Sequence, residues 1–209
     1  MSTKKLHYIF LICFFFLSTV LFAQEQKQSK TLIGNNSSIK AKDIGFFAAP
    51  MLGVTSMDGV TAPLMHVRGG VSVKDKFSLG LYASSLLNDI VPQSEVLADK
   101  YMDYWTVGAF AEYTLLSKKL VHITIPLFFG YGEVEMDAFN DGFPDIDLGE
   151  ANFFQFEPSF LLELNLHKHI RLNAGAGYRF VSKMNYRNMN QNDISGFTGY
   201  AGIKIGLFK

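Results

Sequence analysis

The chain of 209 residues carries 19 lysines and arginines against 19 acids, so its formal net charge is zero. This length suits a single domain, and the lack of a strongly basic field argues against a nucleic-acid partner. The only cysteine is Cys13, so no disulfide or thiol chemistry is expected in the rest of the chain.

Residues 1–23 have the pattern of a secretory signal peptide. Lys4 and Lys5 supply positive charge, residues 9–22 are apolar, and Ala23 is a small residue before a cut. The apolar stretch is shorter than the ~20 residues that a membrane-spanning helix needs. We therefore predict cleavage near Ala23. The removed segment holds two of the basic residues and no acid, so the mature net charge is −2.

The next segment, residues 24–43, is polar and predicts a flexible periplasmic N-terminal arm. From residue 44 onward, apolar and polar side chains alternate in successive stretches, which is the period of an extended strand. The eight predicted strands cover residues 44–55, 63–73, 77–87, 101–116, 120–135, 153–166, 170–182 and 196–208.

The alternation is clearest in residues 153–166. Phe154 and Phe160 belong to an apolar set at even positions, whereas Glu157 and Glu163 belong to a polar set at odd positions. One face of the strand is therefore apolar and the other polar. Because the pattern recurs along the chain and no separate core element exists, we predict that the apolar face meets lipid.

The connections between the predicted strands alternate in length. Short basic turns lie at residues 74–76, 117–119 and 167–169, and longer segments at residues 56–62, 88–100, 136–152 and 183–195. Short turns at one end and long loops at the other are typical of outer-membrane barrels. We predict an all-β fold, an eight-stranded antiparallel up-and-down transmembrane β-barrel over residues 44–209, with short periplasmic turns and longer extracellular loops.

Charged residues on the inward faces predict an interior charge network. The short turn at residues 167–169 sets Glu157 opposite Arg179 and leaves Glu163 diagonal to Arg171. Such cross-strand neighbours lie within ~5–8 Å of each other. The predicted network consists of Arg68, Glu112, Glu157, Glu163, Arg171, Arg179 and Lys204.

This network has two interpretations. An eight-stranded barrel has an interior only just wide enough for its own side chains, and a buried charge is costly unless it is paired. The charges therefore predict a plug of ion pairs. The alternative is a narrow, gated hydrophilic path for ions or small solutes.

The third long loop is acidic and predicts a weak calcium site. Residues 140–145 resemble part of a thrombospondin-type calcium repeat, although Phe139 stands where a third acid is needed. The alternative is a solvated acidic loop, and no other cofactor is expected. The candidate ligands are Asp137, Asp141, Asp145, Asp147 and Glu150.

No catalytic residues are predicted. Two known eight-stranded barrel enzymes that modify lipid A place histidine and serine near the outer rim. Of the histidines after the signal peptide, only His66 approaches that position in the predicted strands, and no partnered serine and aspartate can be identified. We therefore predict that the protein is not an enzyme.

Within residues 157–179, the motifs Glu-Pro, Glu-Leu-Asn, Ile-Arg-Leu and Gly-Ala-Gly-Tyr-Arg follow one another. This run resembles the closing strands of small outer-membrane β-barrel proteins from Bacteroidota, and more widely the OmpA/OmpX-like eight-stranded barrels. The resemblance implies the outer membrane of a Gram-negative bacterium. The expected partners are outer-membrane lipid, lipopolysaccharide and, during insertion, the barrel-assembly machinery.

The predicted function is that of a non-enzymatic integral outer-membrane protein with a structural or interaction role. Its loops would be exposed to the exterior. A small gated pore is the first alternative and a lipid A-modifying barrel enzyme the second. A soluble periplasmic barrel that binds a ligand is a further alternative.

Overall fold

The computed structural model describes residues 39–95, 100–138 and 146–208. The predicted signal peptide and residues 24–38 of the predicted arm lie outside these ranges. The barrel strands are β1 (Ile44–Met57), β2 (Val60–Val73), β3 (Phe77–Leu86), β4 (Lys100–Leu115), β5 (Val121–Ala138), β6 (Ile146–His167), β7 (Ile170–Val181) and β10 (Gly196–Gly206). Between β7 and β10 lie two short strands, β8 (Asn185–Tyr186) and β9 (Met189–Asn190), and a four-residue helix, α1 (Gln191–Ile194).

The eight long strands close into one antiparallel barrel. Each pairs with its neighbours in the chain, and the barrel is completed where β1 pairs with β10 from Phe47↔Gly206 to Thr55↔Thr198. The predicted fold class is therefore confirmed. Across the described ranges, no helix has the length and apolar character needed to cross a membrane.

The strands form because their side chains alternate between two environments. On β3, Leu79 and Leu81 point outward and are 67% and 70% exposed, whereas Ser78 and Ser84 point inward and are buried. The first strand is apolar on both faces and follows the same rule, with Phe46 pointing outward and Phe47 pointing inward. The barrel thus has an apolar exterior, and its interior holds the buried polar and charged side chains together with apolar ones.

One predicted loop is wrong. Residues 56–62 do not form a long loop, because β1 and β2 continue to a two-residue hairpin at Asp58 and Gly59. Both residues have positive φ, 45° and 75°, as a type I′ turn requires. The Asp-Gly pair is the sequence signal for such a turn.

The third predicted loop is also shorter than expected. Strands β5 and β6 continue beyond residues 135 and 153, with Glu135 paired with Glu150 and Asp137 paired with Asp147 across a register shift. Much of the predicted loop over residues 136–152 is therefore a paired extension of the sheet.

The two ends of the barrel differ. We call the end with the turns at residues 74–76, 116–120 and 168–169 the turn rim, and the opposite end the loop rim. A 3₁₀ turn, Ala41–Asp43, precedes β1 at the turn rim, where the Asp43 carbonyl oxygen accepts a 2.7 Å hydrogen bond from the Lys74 N–H. The last residues of the predicted arm are thus bonded to the barrel.

Candidate functional site

The barrel interior is the candidate site, and its buried side chains form successive levels between the two rims. A charge layer lies nearest the turn rim, and an aromatic layer follows it. A polar layer and an apolar cap lie toward the loop rim. Each level draws side chains from several strands, so the site depends on closure of the barrel.

The charge layer is centred on four buried side chains. Arg68 Nη1 contacts Glu112 Oε2 directly, and Arg68 Nη2 lies 3.4 Å from Glu163 Oε1. Lys204 Nζ lies 2.6 Å from Glu112 Oε1 and 3.0 Å from Glu163 Oε1. Two acids and two bases therefore neutralise one another where an unpaired charge is costly.

Further groups surround Glu163 and complete the charge layer. His122 Nε2 lies 3.1 Å from Glu163 Oε2, and Arg171 Nη1 lies 3.8 Å from the same oxygen. The other Arg171 terminal nitrogen lies 3.8 Å from Asp75 Oδ2, and its guanidinium carbon lies 3.7 Å from the Phe208 ring centroid. Residues on both sides of the turn rim thus close the barrel there.

Sequence reasoning missed Asp75. It lies in a short turn with φ of 51°, yet its side chain is buried rather than exposed with the lysines beside it. An aspartate tolerates this left-handed conformation better than most residues. With Asp75 included, the buried interior charges are four acids and four bases, so the predicted excess of one base disappears.

The aromatic layer lies directly above the charge layer. The His66 ring packs against three others, with centroids 5.4 Å from Tyr82, 4.9 Å from Phe128 and 5.3 Å from Tyr200. Phe110 lies 5.8 Å from Phe128 and extends the layer toward β1. These rings fill the middle of the barrel.

His66 is the one histidine that the sequence makes a candidate for lipid chemistry. Its side chain is 2% exposed and lies among aromatic rings, so it does not approach the outer rim. Its Nε2 atom has no hydrogen-bond partner among the described residues. Nothing in this geometry resembles an activated nucleophile with its base.

The polar layer contains Glu157, which is satisfied by hydrogen bonds. The Tyr200 hydroxyl donates to Glu157 Oε1 at 2.5 Å, and Gln155 Nε2 donates to Oε2 at 3.2 Å. The Tyr104 hydroxyl in turn donates to Gln155 Oε1 at 2.8 Å. A chain of polar side chains therefore crosses the interior at this level.

Arg179 does not form the predicted ion pair with Glu157. The register agrees with the prediction, since Phe156 pairs with Phe180 beside them, but no ion pair joins the two side chains in the part of the chain described. Arg179 Nε instead donates to the Ile194 carbonyl oxygen at 2.9 Å, and Nη2 donates to Thr55 Oγ1 at 3.2 Å. The guanidinium thus ties the segment after β7 to the barrel wall.

The apolar cap closes the barrel at the loop rim. Residues 182–195, which we call the mouth segment, lie over the barrel opening, and their apolar side chains are buried with those of the strand ends. Phe153 on β6 faces inward and stacks on Tyr104, with ring centroids 5.8 Å apart. The cap consists of Met57, Ala62, Leu64, Leu86, Ile90, Met102, Tyr104, Val134, Met136, Phe153, Met184, Tyr186, Met189 and Ile194.

Polar contacts fasten the mouth segment to its neighbours. Arg187 Nε lies 3.0 Å from Glu95 Oε2, and Lys100 Nζ lies 3.5 Å from Glu95 Oε1. The Tyr186 hydroxyl donates to the Gly149 carbonyl oxygen on β6. The segment is therefore held at both sides of the opening.

The predicted calcium site lies partly outside the described residues. Asp141 and Asp145 are not described, and for Asp147 only the backbone is. Asp137 is paired with Asp147 in the sheet, and Glu150 with Glu135. Within the described ranges, no group of three histidine, cysteine or acidic side chains is arranged to hold a metal ion. The calcium site remains a prediction.

No protein-family model matches the chain, and no curated protein sequence matches it. Several solved structures of outer-membrane β-barrels are similar in fold. Neisserial surface protein A has 14% identity and a TM-score of 0.53, covering 78% of this chain and 96% of its own. The N-terminal β-barrel domain of Pseudomonas aeruginosa OprF has 10% identity and a TM-score of 0.50 over the same shares, 78% and 96%. A major outer membrane protein from Thermus thermophilus has 8% identity and a TM-score of 0.50, covering 77% and 99%.

Proposed function

We propose that this chain is an integral outer-membrane β-barrel of a Gram-negative bacterium, non-enzymatic, with a structural or interaction role carried by its loops. The observation that carries this proposal is the apolar exterior of a closed barrel. The likeness in fold to outer-membrane barrels supports it.

The apolar exterior is too extensive for a protein surrounded by water. Leu81 on β3, Phe154 on β6 and Phe197 on β10 are 70%, 68% and 74% exposed, and these strands lie on different sides of the barrel. Soluble monomers rarely expose continuous apolar surface larger than a few hundred Å². The shortest barrel strand, β3 with 10 residues, is long enough to span a bilayer, which takes roughly 9–11 residues.

The orientation follows from the connections. Outer-membrane barrels have short periplasmic turns and longer extracellular loops, so the turn rim faces the periplasm and the loop rim the exterior. Export by the predicted signal peptide and insertion by the barrel-assembly machinery agree with this orientation. Lys183 is exposed at the loop rim and is available to lipopolysaccharide phosphates, whereas Arg187 is paired with Glu95.

The filled interior favours a closed barrel over a pore or an enzyme. Charged, aromatic and apolar side chains occupy successive levels, and the charge layer is neutralised by its own ion pairs. A pore needs a continuous polar path, which the aromatic layer and the cap interrupt. A lipid A-modifying enzyme needs a histidine that reaches the membrane surface, and His66 is buried at mid-barrel.

The test is refolding of the chain from residue 24 in detergent, followed by insertion into vesicles. We expect the unboiled protein to migrate apart from the boiled protein on a gel, to float with the vesicles and to give no current in single-channel recordings. Discrete conductance steps would establish a pore. Recovery of folded protein without detergent or lipid would contradict the membrane assignment.

A further inference from the structure

Exposed lysines surround the turn rim. One lysine lies on each side of Asp75 in the turn at residues 74–76. Two adjacent lysines lie in the turn at residues 116–120, and one lies in the turn at residues 168–169. The 3₁₀ turn before β1 holds one more and the residue before that turn is another, so positive charge is present at each of the turns and at the start of the barrel. None of these lysines forms an ion pair within the described ranges. They are Lys40, Lys42, Lys74, Lys76, Lys118, Lys119 and Lys168.

The two aspartates of the turn rim do not neutralise these lysines. Asp75 is buried and faces Arg171 inside the barrel, with 3.8 Å between Oδ2 and Nη2. Asp43 Oδ2 accepts a 3.0 Å hydrogen bond from the Lys40 backbone N–H. Even when both aspartates are counted, seven lysines against two acids give the rim a formal charge of +5.

The loop rim has the opposite charge. In its described part, nine acids face three bases, a formal charge of −6, and two of the three bases are paired with Glu95. The acids are Asp58, Asp89, Glu95, Asp103, Glu133, Glu135, Asp137, Glu150 and Asp193, and the bases are Lys100, Lys183 and Arg187. The positive charge is therefore specific to one rim and does not reflect a generally basic surface.

The position of the lysines indicates that their partner is an extended surface and not a ligand in a pocket. Exposed apolar side chains, Phe77, Leu120 and Ile170, lie within two residues of turn lysines on three different hairpins. The cations thus follow the apolar band around the perimeter and do not converge on a pocket. A long lysine side chain beside apolar surface extends its amine toward the polar boundary of the membrane.

We propose that the turn rim binds the anionic phosphate headgroups of phospholipids in the leaflet that it faces. This inference rests on the proposed function, because it requires the barrel to span a membrane. A lysine near an anionic membrane surface contributes roughly 1 kcal/mol, and the attraction decays within a Debye length. Several such lysines around one rim select anionic lipid in the surrounding shell and fix the depth of the barrel in the bilayer.

The test compares two spin-labelled lipids around the reconstituted full mature chain. The protein is inserted into phosphatidylcholine vesicles that contain a trace of spin-labelled phosphatidylglycerol or of spin-labelled phosphatidylcholine. The motionally restricted fraction of each gives a relative association constant. We expect phosphatidylglycerol to be favoured by about fivefold at low salt, which corresponds to roughly 1 kcal/mol, and the preference to vanish near 1 M KCl.

Matched variants locate the effect. Lys76→Gln/Lys119→Gln/Lys168→Gln removes one charge from each turn, and Lys100→Gln/Lys183→Gln/Arg187→Gln removes the same charge from the loop rim. The first variant should lose most of the preference and the second should retain it. If either variant fails to fold, the salt dependence of the unaltered protein still tests the inference.

The possible results separate the two proposals. Protein that does not float with vesicles contradicts the membrane assignment itself. Protein that inserts but shows no preference, or loses it equally in both variants, contradicts the lipid inference alone. Loss of the preference on adding inorganic phosphate, but not chloride at equal ionic strength, would identify a free-phosphate site instead and also overturn the inference.

Discussion

Lys204 Nζ lies 2.6 Å from Glu112 Oε1, although the two side chains belong to β10 and β4, on opposite sides of the barrel. Arg68 on β2 and Glu163 on β6 make a second connection across the interior, at 3.4 Å. The four residues come from every second strand of the closed sheet. The charge layer therefore ties together strands that share no backbone hydrogen bonds.

This arrangement predicts a large cost for removing one carboxylate. Glu112→Gln leaves Arg68 and Lys204 to share Glu163, and all of these side chains are buried. Breaking a buried ion pair by removing one partner costs about 3–5 kcal/mol. We expect the vesicle-inserted Glu112→Gln protein to unfold at a correspondingly lower urea concentration than the unaltered protein.

The control for that experiment is Glu150→Gln, which removes an exposed carboxylate from β6. Surface substitutions of this kind change the free energy of unfolding by about 0.5 kcal/mol or less. Equal effects of the two substitutions would show that the charge layer contributes nothing specific.

Arg179 predicts the behaviour of the mouth segment. Arg179→Gln removes the bond to the Ile194 carbonyl oxygen and the bond to Thr55. A buried carbonyl left without its donor costs about 1–3 kcal/mol. We expect limited proteolysis with chymotrypsin, which does not cleave at lysine or arginine, to cut the mouth segment faster while the barrel retains its gel shift. Lys183→Gln, an exposed change within the same segment, should leave the cutting rate unchanged.

Much of the fold could be predicted from the sequence because a barrel strand shows a two-residue alternation of apolar and polar side chains. The alternation of apolar and polar side chains depends only on local geometry, and the long strands start and end close to their predicted bounds except at the β1–β2 hairpin and at the extensions of β5 and β6. The predicted register, which sets Glu157 opposite Arg179, is confirmed by the neighbouring pair Phe156↔Phe180. The predicted three-residue turn at residues 167–169 is wrong, because His167 pairs with Ile170 and a register shift after Asn165 restores the expected pairing.

The side-chain partners were harder to predict. Register places Glu157 beside Arg179, but each side chain reaches partners from other strands or loops, Tyr200 and Ile194 among them. Those choices depend on the closed barrel and on how the mouth segment folds. Asp75 was missed for a related reason, since a turn position normally implies exposure and here the side chain reaches Arg171 inside.

The hairpin at the loop rim predicts a backbone effect. Gly59 has φ of 75°, where an L side chain is strained, and a Cβ there would lie 2.5 Å from Gln93 Oε1. Gly59→Ala should lower the free energy of unfolding by about 1–2 kcal/mol. Gly196→Ala is the matched control, because its Cβ would meet only the Ser56 carbonyl oxygen at 3.5 Å. Equal unfolding midpoints for the two variants would contradict the turn assignment.

The membrane assignment predicts an effect that a soluble barrel would not show. Leu81 is 70% exposed near the middle of β3, between the two rims. An arginine on the lipid-facing side of a barrel costs about 2–4 kcal/mol at the bilayer midplane and about 0–1 kcal/mol near the interface. Leu81→Arg should therefore destabilise the vesicle-inserted protein strongly, whereas Leu120→Arg at the turn rim should be nearly neutral. In a barrel surrounded by water, both leucines are merely exposed, and neither substitution would matter. Urea unfolding of the two variants in the same vesicles measures the difference, and equal midpoints would place this face of the barrel in water.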